Sequence, residues 1–277
     1  MKTIIVATDY SDNSDNALTY AGHFAAATNA KIILFNAYTL PVHASNAHLS
    51  GEAYDSIIAN NKARLEALAY KTADKFSVEV ECNVTMSPFI SELDHLVLTS
   101  NAELVILGMH DNDWTDKLLG NTATAVIHIA SYPVMIIPEK ASFKGIKKIL
   151  FAYNEASIKR NELPLLKELS SIFDAQIKVY HVSRKRELAF TGEQGTAIAN
   201  DTIEMVLHEV EHSYDGVSEE DVVEGIEKGV KEFEADMLVM VPFRPHFWDG
   251  LTYKSKTRKM SLKTVVPLLV LPNPVKP

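Results

Sequence analysis

The sequence predicts an α/β protein made of two repeated, open five-stranded parallel sheets with helices on both faces, paired by pseudo-two-fold symmetry through the last strand of each. Three observations support this fold. Sequence segments recur in the two halves of the chain, β-branched runs alternate with segments of helical periodicity, and prolines bracket the last predicted strand of each copy. The repeat predicts the two domains, the periodicity predicts the helices and strands, and the prolines predict the edge strands.

The repeat divides the chain into two domains. TIIVATD, which begins at Thr3, matches KILFAYN 145 residues later, and AELVILG, which begins at Ala102, matches ADMLVMV 133 residues later. The smaller offset means that the second copy is shorter in its middle. Because the polar segment EKASFKG separates the copies, we predict domains at residues 1–140 and 146–277.

Helices are predicted where apolar residues share one helical face behind a capping residue. Ser11 is the candidate cap in the first copy and Ser218 in the second. The face in the first copy consists of Ala17, Ala21, Phe24, Ala25 and Thr28. The face in the second consists of Val222, Val223, Ile226, Val230 and Phe233.

Strands are predicted at the runs IIVA, IILF, LVILG and VMII, whose continuous apolar character is typical of parallel strands covered on both faces. The last strand lies between Pro133 and Pro138, or between Pro267 and Pro272 in the second copy. Proline cannot donate to a central ladder, so each of these strands is predicted at an edge. An apolar edge favours pairing, and we therefore expect the two last strands to pair.

Composition excludes several function classes. The chain of 277 residues is 47% hydrophobic and 23% charged, which is typical of a soluble globular protein. Its net charge of -9 argues against a nucleic-acid partner, because phosphate neutralisation needs a basic surface. No segment is long enough to cross a bilayer, so no membrane partner is expected. The single cysteine, Cys82, fits a reducing cytoplasm.

A strand that ends in Asp9, a strand LVILG, a loop that ends in GNT, a helix and then YPVMIIP together resemble a universal stress protein (UspA) domain. The repeat makes the chain resemble a tandem member. The resemblance implies an adenine nucleotide alpha hydrolase-like fold and a non-catalytic, cytoplasmic stress-response sensor or adaptor. It leaves protein partners unknown, and the intramolecular pseudo-dimer could associate further as a homodimer.

ATP-binding members of this family carry a glycine, two residues, a second glycine, nine residues, and a third glycine followed by serine or threonine. Glycines let bare backbone amides approach phosphate oxygens. Here Gly108 holds the first position, Asp111 the second and Gly120 the third, after a spacer of eight residues. A carboxylate at Asp111 would repel the phosphates unless Mg²⁺ bridges them. Two interpretations stay open: ATP with Mg²⁺ in the first copy, or a nucleotide-independent interaction module with decayed sites.

The resemblance implies a nucleotide site at the first copy and no catalytic or metal-ligating residue of the protein's own. The candidate site consists of Asp9, Ala37, Tyr38, Gly108, Met109, His110, Gly120, Asn121 and Thr122. The backbone near Ala37 and Tyr38 would contact the base, Met109 would supply backbone, and His110 could donate to a phosphate. Asp9 would help to hold the nucleotide, or would only cap the following turn or helix.

The second copy lacks this pattern, because Asn154, Val241, Arg244 and Lys254 stand where the aspartate and the three glycines would be. Its basic stretch KSKTRKM lies at a predicted helix start, which indicates a bound anion, an acidic partner or a solvated helix end.

A remote alternative is a zinc hydrolase, because HEVEH at residues 208–212 fits the pattern H-E-x-x-H. Zinc needs both histidines on one helical face. The repeat aligns His212 with Val78, at a predicted strand start, which would leave His212 beyond the helix end.

Overall fold

The computed structural model describes residues 1–38, 51–109, 122–153, 163–183, 201–241 and 264–272. The strands of these residues are β1 (Thr3–Ala7), β2 (Lys31–Ala37), β3 (Val80–Thr85), β4 (Leu104–Met109), β5 (Val134–Pro138), β6 (Lys148–Ala152), β7 (Gln176–Ser183), β8 (His212–Ser218), β9 (Met237–Met240) and β10 (Leu268–Val270). The helices are α1 (Asp12–Thr28), α2 (Gly51–Phe76), α3 (Phe89–Ser100), α4 (Thr122–Ile129), α5 (Pro164–Phe173), α6 (Asp201–Leu207) and α7 (Val222–Phe233). None of these described helices is long and apolar enough to cross a membrane.

Contacts group the chain into two compact units, Met1–Gly108 and Met109–Pro277. The domain boundary predicted between residues 140 and 146 stays a prediction.

The sheet of the first unit has four parallel strands in the order β3-β2-β1-β4. β1 is central, since Val6 lies between Leu34 of β2 and Ile106 of β4. All five residues of β1 are buried. This burial is what the continuous apolar run predicts for a parallel strand that is covered on both faces.

Helices cover both faces of this sheet, as predicted. Neighbouring residues of a strand point to opposite faces, and Phe35 and Asn36 illustrate the two directions. The ring of Phe35 lies 5.3 Å from the ring of Phe89 in α3. The side chain of Asn36 instead accepts a hydrogen bond of 2.7 Å from the amide of Asn61 in α2. α2 and α3 therefore pack on opposite faces.

The predicted apolar face of α1 is buried in full, and its predicted cap is confirmed. The Ser11 hydroxyl accepts a hydrogen bond of 3.3 Å from the Ser14 N–H. The predicted cap of α7 is wrong, because Ser218 ends β8 and the Asp221 carboxylate accepts from the Val223 N–H at 2.8 Å. Asp221 directly precedes the first helical turn, where a short acceptor side chain satisfies a free amide.

In the second unit the strands follow the order β5-β10-β9-β6-β7-β8. The predicted pairing of the two last strands is confirmed, because β5 and β10 are antiparallel, with Met135 opposite Leu269. These two residues are also equivalent in the repeat of PVMIIP and PLLVLP, so a local two-fold axis passes between them. Each proline-bracketed strand thus covers the edge of the other.

The strand register corrects one detail of the sequence alignment. Ile32 lies beside Val80 in the first unit, and its counterpart Ile177 lies beside His212 in the second. His212 therefore takes the place of Val80, and not of Val78 as the alignment predicts. The second copy is shorter by two more residues before β8 than the sequence repeats indicate.

Candidate functional site

Four predicted site residues, Asp9, Ala37, Tyr38 and Gly108, lie at one edge of the first unit. Parallel strands end at the same edge of a sheet, and ligands of open α/β folds bind outside those carboxyl ends. Asp9 follows β1, Ala37 ends β2 and Gly108 lies near the end of β4, on the two sides of the central strand. We call this set of strand ends the carboxyl edge.

Asp9 is exposed, and its carboxylate begins the turn into α1. Its Oδ1 accepts from the Ser11 N–H at 3.0 Å and from the Ser11 hydroxyl at 2.6 Å. Partial burial acts to raise the pKa of Asp9, but these hydrogen bonds outweigh it and hold the pKa below its ordinary value. The carboxylate is therefore ionised at neutral pH, and it has the turn-capping role that the sequence left open.

Tyr10, the next residue, has a left-handed backbone with φ of 63°. This conformation costs about 1–2 kcal/mol for a residue with a Cβ, so other contacts must hold it. The Tyr10 N–H donates to the Thr8 hydroxyl at 3.0 Å, and the Tyr10 hydroxyl donates to Asn61 Oδ1 at 3.1 Å. The Arg64 guanidinium lies 3.7 Å from the centre of the Tyr10 ring. Residues of α2 thus fix the loop that carries Asp9.

Gly108 is required by packing between β4 and α1. A Cβ at this position would lie 2.5 Å from the Asn13 carbonyl oxygen and 3.2 Å from the Ser14 nitrogen. Both atoms belong to the first turn of α1, which therefore lies directly against the end of β4. This close approach explains the glycine without a phosphate, although it also leaves the backbone bare at the carboxyl edge.

The peptide groups of Tyr38 and Ala37 differ in their availability. The Tyr38 N–H donates to the Thr85 carbonyl at 2.9 Å, so β3 already uses it. Ala37 is half-buried, and the alternation of a parallel ladder turns its N–H and carbonyl toward the β1 side, where the chain has passed Thr8. The described residues include no backbone partner for the Ala37 N–H.

The remaining candidates are divided between the second unit and the part of the chain outside the description. His110, Gly120 and Asn121 lie outside the described residues, as does Asp111. Met109 is a buried residue at the end of β4, and Thr122 is the exposed first residue of α4. Both belong to the second unit. The predicted site as a whole stays a prediction.

The carboxyl ends of the second unit carry different side chains. Tyr153 is the counterpart of Thr8, because the N–H of each bonds to the carbonyl at the same place in the next strand. The Tyr153 ring lies 6.1 Å from Phe151 and 5.7 Å from His181. Val241 is buried where the first copy has Gly108. Asn154, Arg244 and Lys254 lie outside the described residues, together with the rest of the basic stretch.

The HEVEH segment does not lie on one helix. α6 ends at Leu207, before His208, and His212 begins β8, so the expectation that His212 lies beyond the helix end is confirmed. His212 Nδ1 lies 2.9 Å from the Val210 carbonyl, and its Nε2 lies 3.3 Å from Glu204 Oε2. Among the described residues, no group of histidine, cysteine and carboxylate side chains has the arrangement of a metal site.

Sequence reasoning missed Asn36 and Asn61. Asn36 is buried in the apolar run IILFNA, and its amide donates to the Thr8 carbonyl at 2.6 Å. A polar residue inside a buried strand was the available signal, because such a side chain must find a partner. Asn61 offers no such signal, since asparagines such as Asn60 and Asn61 on a helix of mixed polarity are unremarkable by sequence.

Comparisons with known proteins agree with this geometry. A sequence model of the universal stress protein family matches residues 1–138. Universal stress protein A homolog 1 of Coxiella burnetii is 27% identical over 141 residues, which cover 49% of this chain and 95% of that protein.

Two crystal structures share the fold over nearly the whole chain. A universal stress protein from Archaeoglobus fulgidus has a TM-score of 0.75 at 18% identity and covers 98% of both chains. A protein of unknown function from Pseudomonas aeruginosa has a TM-score of 0.61 at 15% identity, over 98% of this chain and 92% of that one. The family match to its first half shows that the chain belongs to the universal stress protein family; the two crystal structures show that it shares their fold.

Proposed function

We propose that the chain is a tandem universal stress protein, non-catalytic and cytoplasmic, which acts as a stress-response sensor or adaptor and binds an adenine nucleotide at the carboxyl edge of its first copy. Its second copy is a degenerate domain in this proposal. Two observations support the tandem interpretation: the fold likeness to the Archaeoglobus protein extends over 98% of both chains, and β5 and β10 pair about a local two-fold axis.

The observation that carries the nucleotide proposal is the peptide group of Ala37. By the alternation of the ladder, its N–H and carbonyl point to the β1 side beyond Thr8 as an adjacent donor and acceptor, and no described backbone group bonds to the N–H. The Watson–Crick edge of adenine offers the complementary pair, an acceptor at N1 beside a donor at N6. Guanine offers the reverse pair, a donor at N1 beside an acceptor at O6. One backbone residue is therefore sufficient to favour adenine.

Asp9 suits the ribose. In dinucleotide-binding folds a carboxylate near the strand ends accepts hydrogen bonds from ribose hydroxyls. The lowered pKa keeps Asp9 ionised, so it acts as an acceptor at neutral pH. Both bonds from Ser11 reach Oδ1, so the ribose hydroxyls would bind at Oδ2. In this proposal the nucleotide is bound and does not react.

The phosphates would need backbone from residues 108–122, most of which lie outside the described residues. Asp111 favours the second candidate function, a nucleotide-independent interaction module, because its carboxylate stands at a glycine position of the motif. At 4 Å two like charges repel by about 4 kcal/mol at an effective dielectric of 20. Mg²⁺ held between Asp111 and the phosphates would remove this repulsion.

Thermal unfolding with increasing ATP and Mg²⁺ tests the proposal. At a hundredfold excess over its dissociation constant, a ligand stabilises the folded state by about 2.7 kcal/mol. We expect the melting temperature to rise with ATP in the wild-type protein and to rise less in Asp9→Asn. Asp221→Asn is the matched control, because Asp221 likewise accepts from a backbone N–H before a helix but lies in the second unit.

The outcomes separate the candidates. An ATP shift that Asp9→Asn weakens and Asp221→Asn leaves unchanged supports the nucleotide site. No shift at millimolar ATP leaves the interaction module. Stoichiometric zinc in the purified protein would instead favour the hydrolase alternative at HEVEH.

A further inference from the structure

The side chain of Asn36 donates to the carbonyl that would accept the next hydrogen bond of the ladder between β1 and β2. The ladder runs from the Lys31 N–H, which donates to the Lys2 carbonyl, to the Thr8 N–H, which donates to the Phe35 carbonyl. In a parallel pair, the following bond would join the Ala37 N–H to the Thr8 carbonyl. The side-chain amide of Asn36 donates to that carbonyl instead, at 2.6 Å. The ladder therefore ends one bond early.

A directed chain of hydrogen bonds fixes the orientation of Asn36. The Tyr10 hydroxyl donates to Asn61 Oδ1 at 3.1 Å, the Asn61 amide donates to Asn36 Oδ1 at 2.7 Å, and the Asn36 amide donates to Thr8. If the Asn36 amide were rotated by 180°, donors would face each other at Asn61 and acceptors at Thr8. Asn36 is buried, so neither mismatch could be relieved by water.

We propose that Asn36 is a positioning residue for base recognition, which holds the Thr8 carbonyl so that the Ala37 peptide stays open to the ligand. This inference rests on the proposed nucleotide site. Asn36 itself touches no nucleotide: it acts through Thr8 and Ala37, and Asn61 and Tyr10 hold it in place. Its effect therefore falls on the choice between bases and leaves phosphate binding unchanged.

The experiment replaces Asn36 by leucine in the full-length protein. We expect Asn36→Leu to return the Thr8 carbonyl to the Ala37 N–H, so amide exchange at Ala37 should slow in the free protein. The preference for ATP over GTP should fall about tenfold, the size of one well-placed hydrogen bond. Affinity for inorganic tripolyphosphate should not change. A general loss of structure would lower this affinity as well, so the measurement separates the two causes.

Asn83→Leu is the matched control. Asn83 lies beside Phe35 on β3, on the face opposite to Asn36, and its buried Oδ1 has no hydrogen-bond partner among the described residues. This variant should keep wild-type amide exchange at Ala37 and wild-type base preference. If Asn36→Leu does not fold, Tyr10→Phe removes the first bond of the chain and should lower the base preference in the same direction.

Two failures are distinguishable. A wild-type protein that binds no ATP overturns both the proposed function and this inference. Wild-type ATP binding with an unchanged ATP-to-GTP ratio in Asn36→Leu overturns the inference alone.

Discussion

The carboxyl ends of the two units share a backbone arrangement and differ in chemistry. Thr8 and Tyr153 each donate their N–H to the neighbouring strand, at 2.9 and 3.3 Å. Beside Thr8 lies a chain of amide and hydroxyl hydrogen bonds, whereas the rings of Phe151 and His181 each lie against the ring of Tyr153. The same fold thus places hydrogen-bonded polar groups at one set of strand ends and aromatic side chains at the other.

The largest expected effect concerns the contribution of the aromatic packing around Tyr153 to the free energy of unfolding. Tyr153 is 9% exposed, and replacement by threonine, the residue at its counterpart, removes a buried ring. We expect Tyr153→Thr to lower the free energy of unfolding by about 3 kcal/mol, measured by urea denaturation. Tyr70→Thr is the control, since Tyr70 is 76% exposed. Equal effects of the two changes would show that the rings around Tyr153 carry no packing energy.

The next effect concerns Gly108, whose counterpart Val241 carries a buried side chain. Gly108→Ala places a Cβ 2.5 Å from the Asn13 carbonyl oxygen, so α1 or β4 must move. We expect a loss of about 2 kcal/mol in the free energy of unfolding. At Gly51 a Cβ would meet no atom of the described residues within 4 Å, and Gly51→Ala should be close to neutral. An unchanged free energy of unfolding in both variants would contradict the close contact between Gly108 and Asn13.

A third prediction tests the proposed difference in nucleotide affinity between the two copies. Asp111→Gly restores the second glycine of the family motif and removes a carboxylate from the expected phosphate position. We expect ATP affinity to increase at least tenfold, which is about 1.4 kcal/mol, by calorimetric titration. Asp113→Gly removes the same charge outside the motif and serves as the control. Unchanged affinity in Asp111→Gly would attribute the defect to the shortened loop.

The smallest effect is the pH dependence of the turn at Asp9. Hydrogen bonds lower the pKa of Asp9 despite its partial burial. Its contribution to stability is therefore present above the ordinary aspartate pKa of about 4 and is lost as the pH falls through the lowered value. Because Asp9 is exposed, the contribution should stay below about 1 kcal/mol.

Denaturation of Asp9→Asn across acid and neutral pH measures this contribution. Its difference from the wild-type protein should shrink in acid. A difference that grows in acid would reverse the assigned sign.

Patterns within short segments of the sequence predicted the helix faces, one helix cap and the edge strands. The apolar face of α1, the Ser11 cap and the pairing of the proline-bracketed strands follow from periodicity, a free amide and a missing donor, which are all readable in short segments. Apart from the pairing of the two proline-bracketed strands, contacts between distant segments were not readable. The bond from Asn36 to Thr8 spans 28 residues of sequence, and the contact of Gly108 with Asn13 depends on how α1 lies against β4. The cap of α7 was misassigned because Ser218 and Asp221 are both good caps in sequence.

Because β5 and β10 belong to one chain, the pairing of these two strands does not depend on the protein concentration. Met135 and Leu269 belong to one polypeptide, so neither strand has to meet a second molecule before its edge is covered. A protein with a single copy and the same proline-bracketed strand would expose that edge when diluted. Here the partner strand is always supplied by the same chain at high effective concentration, so dilution should not separate the two strands.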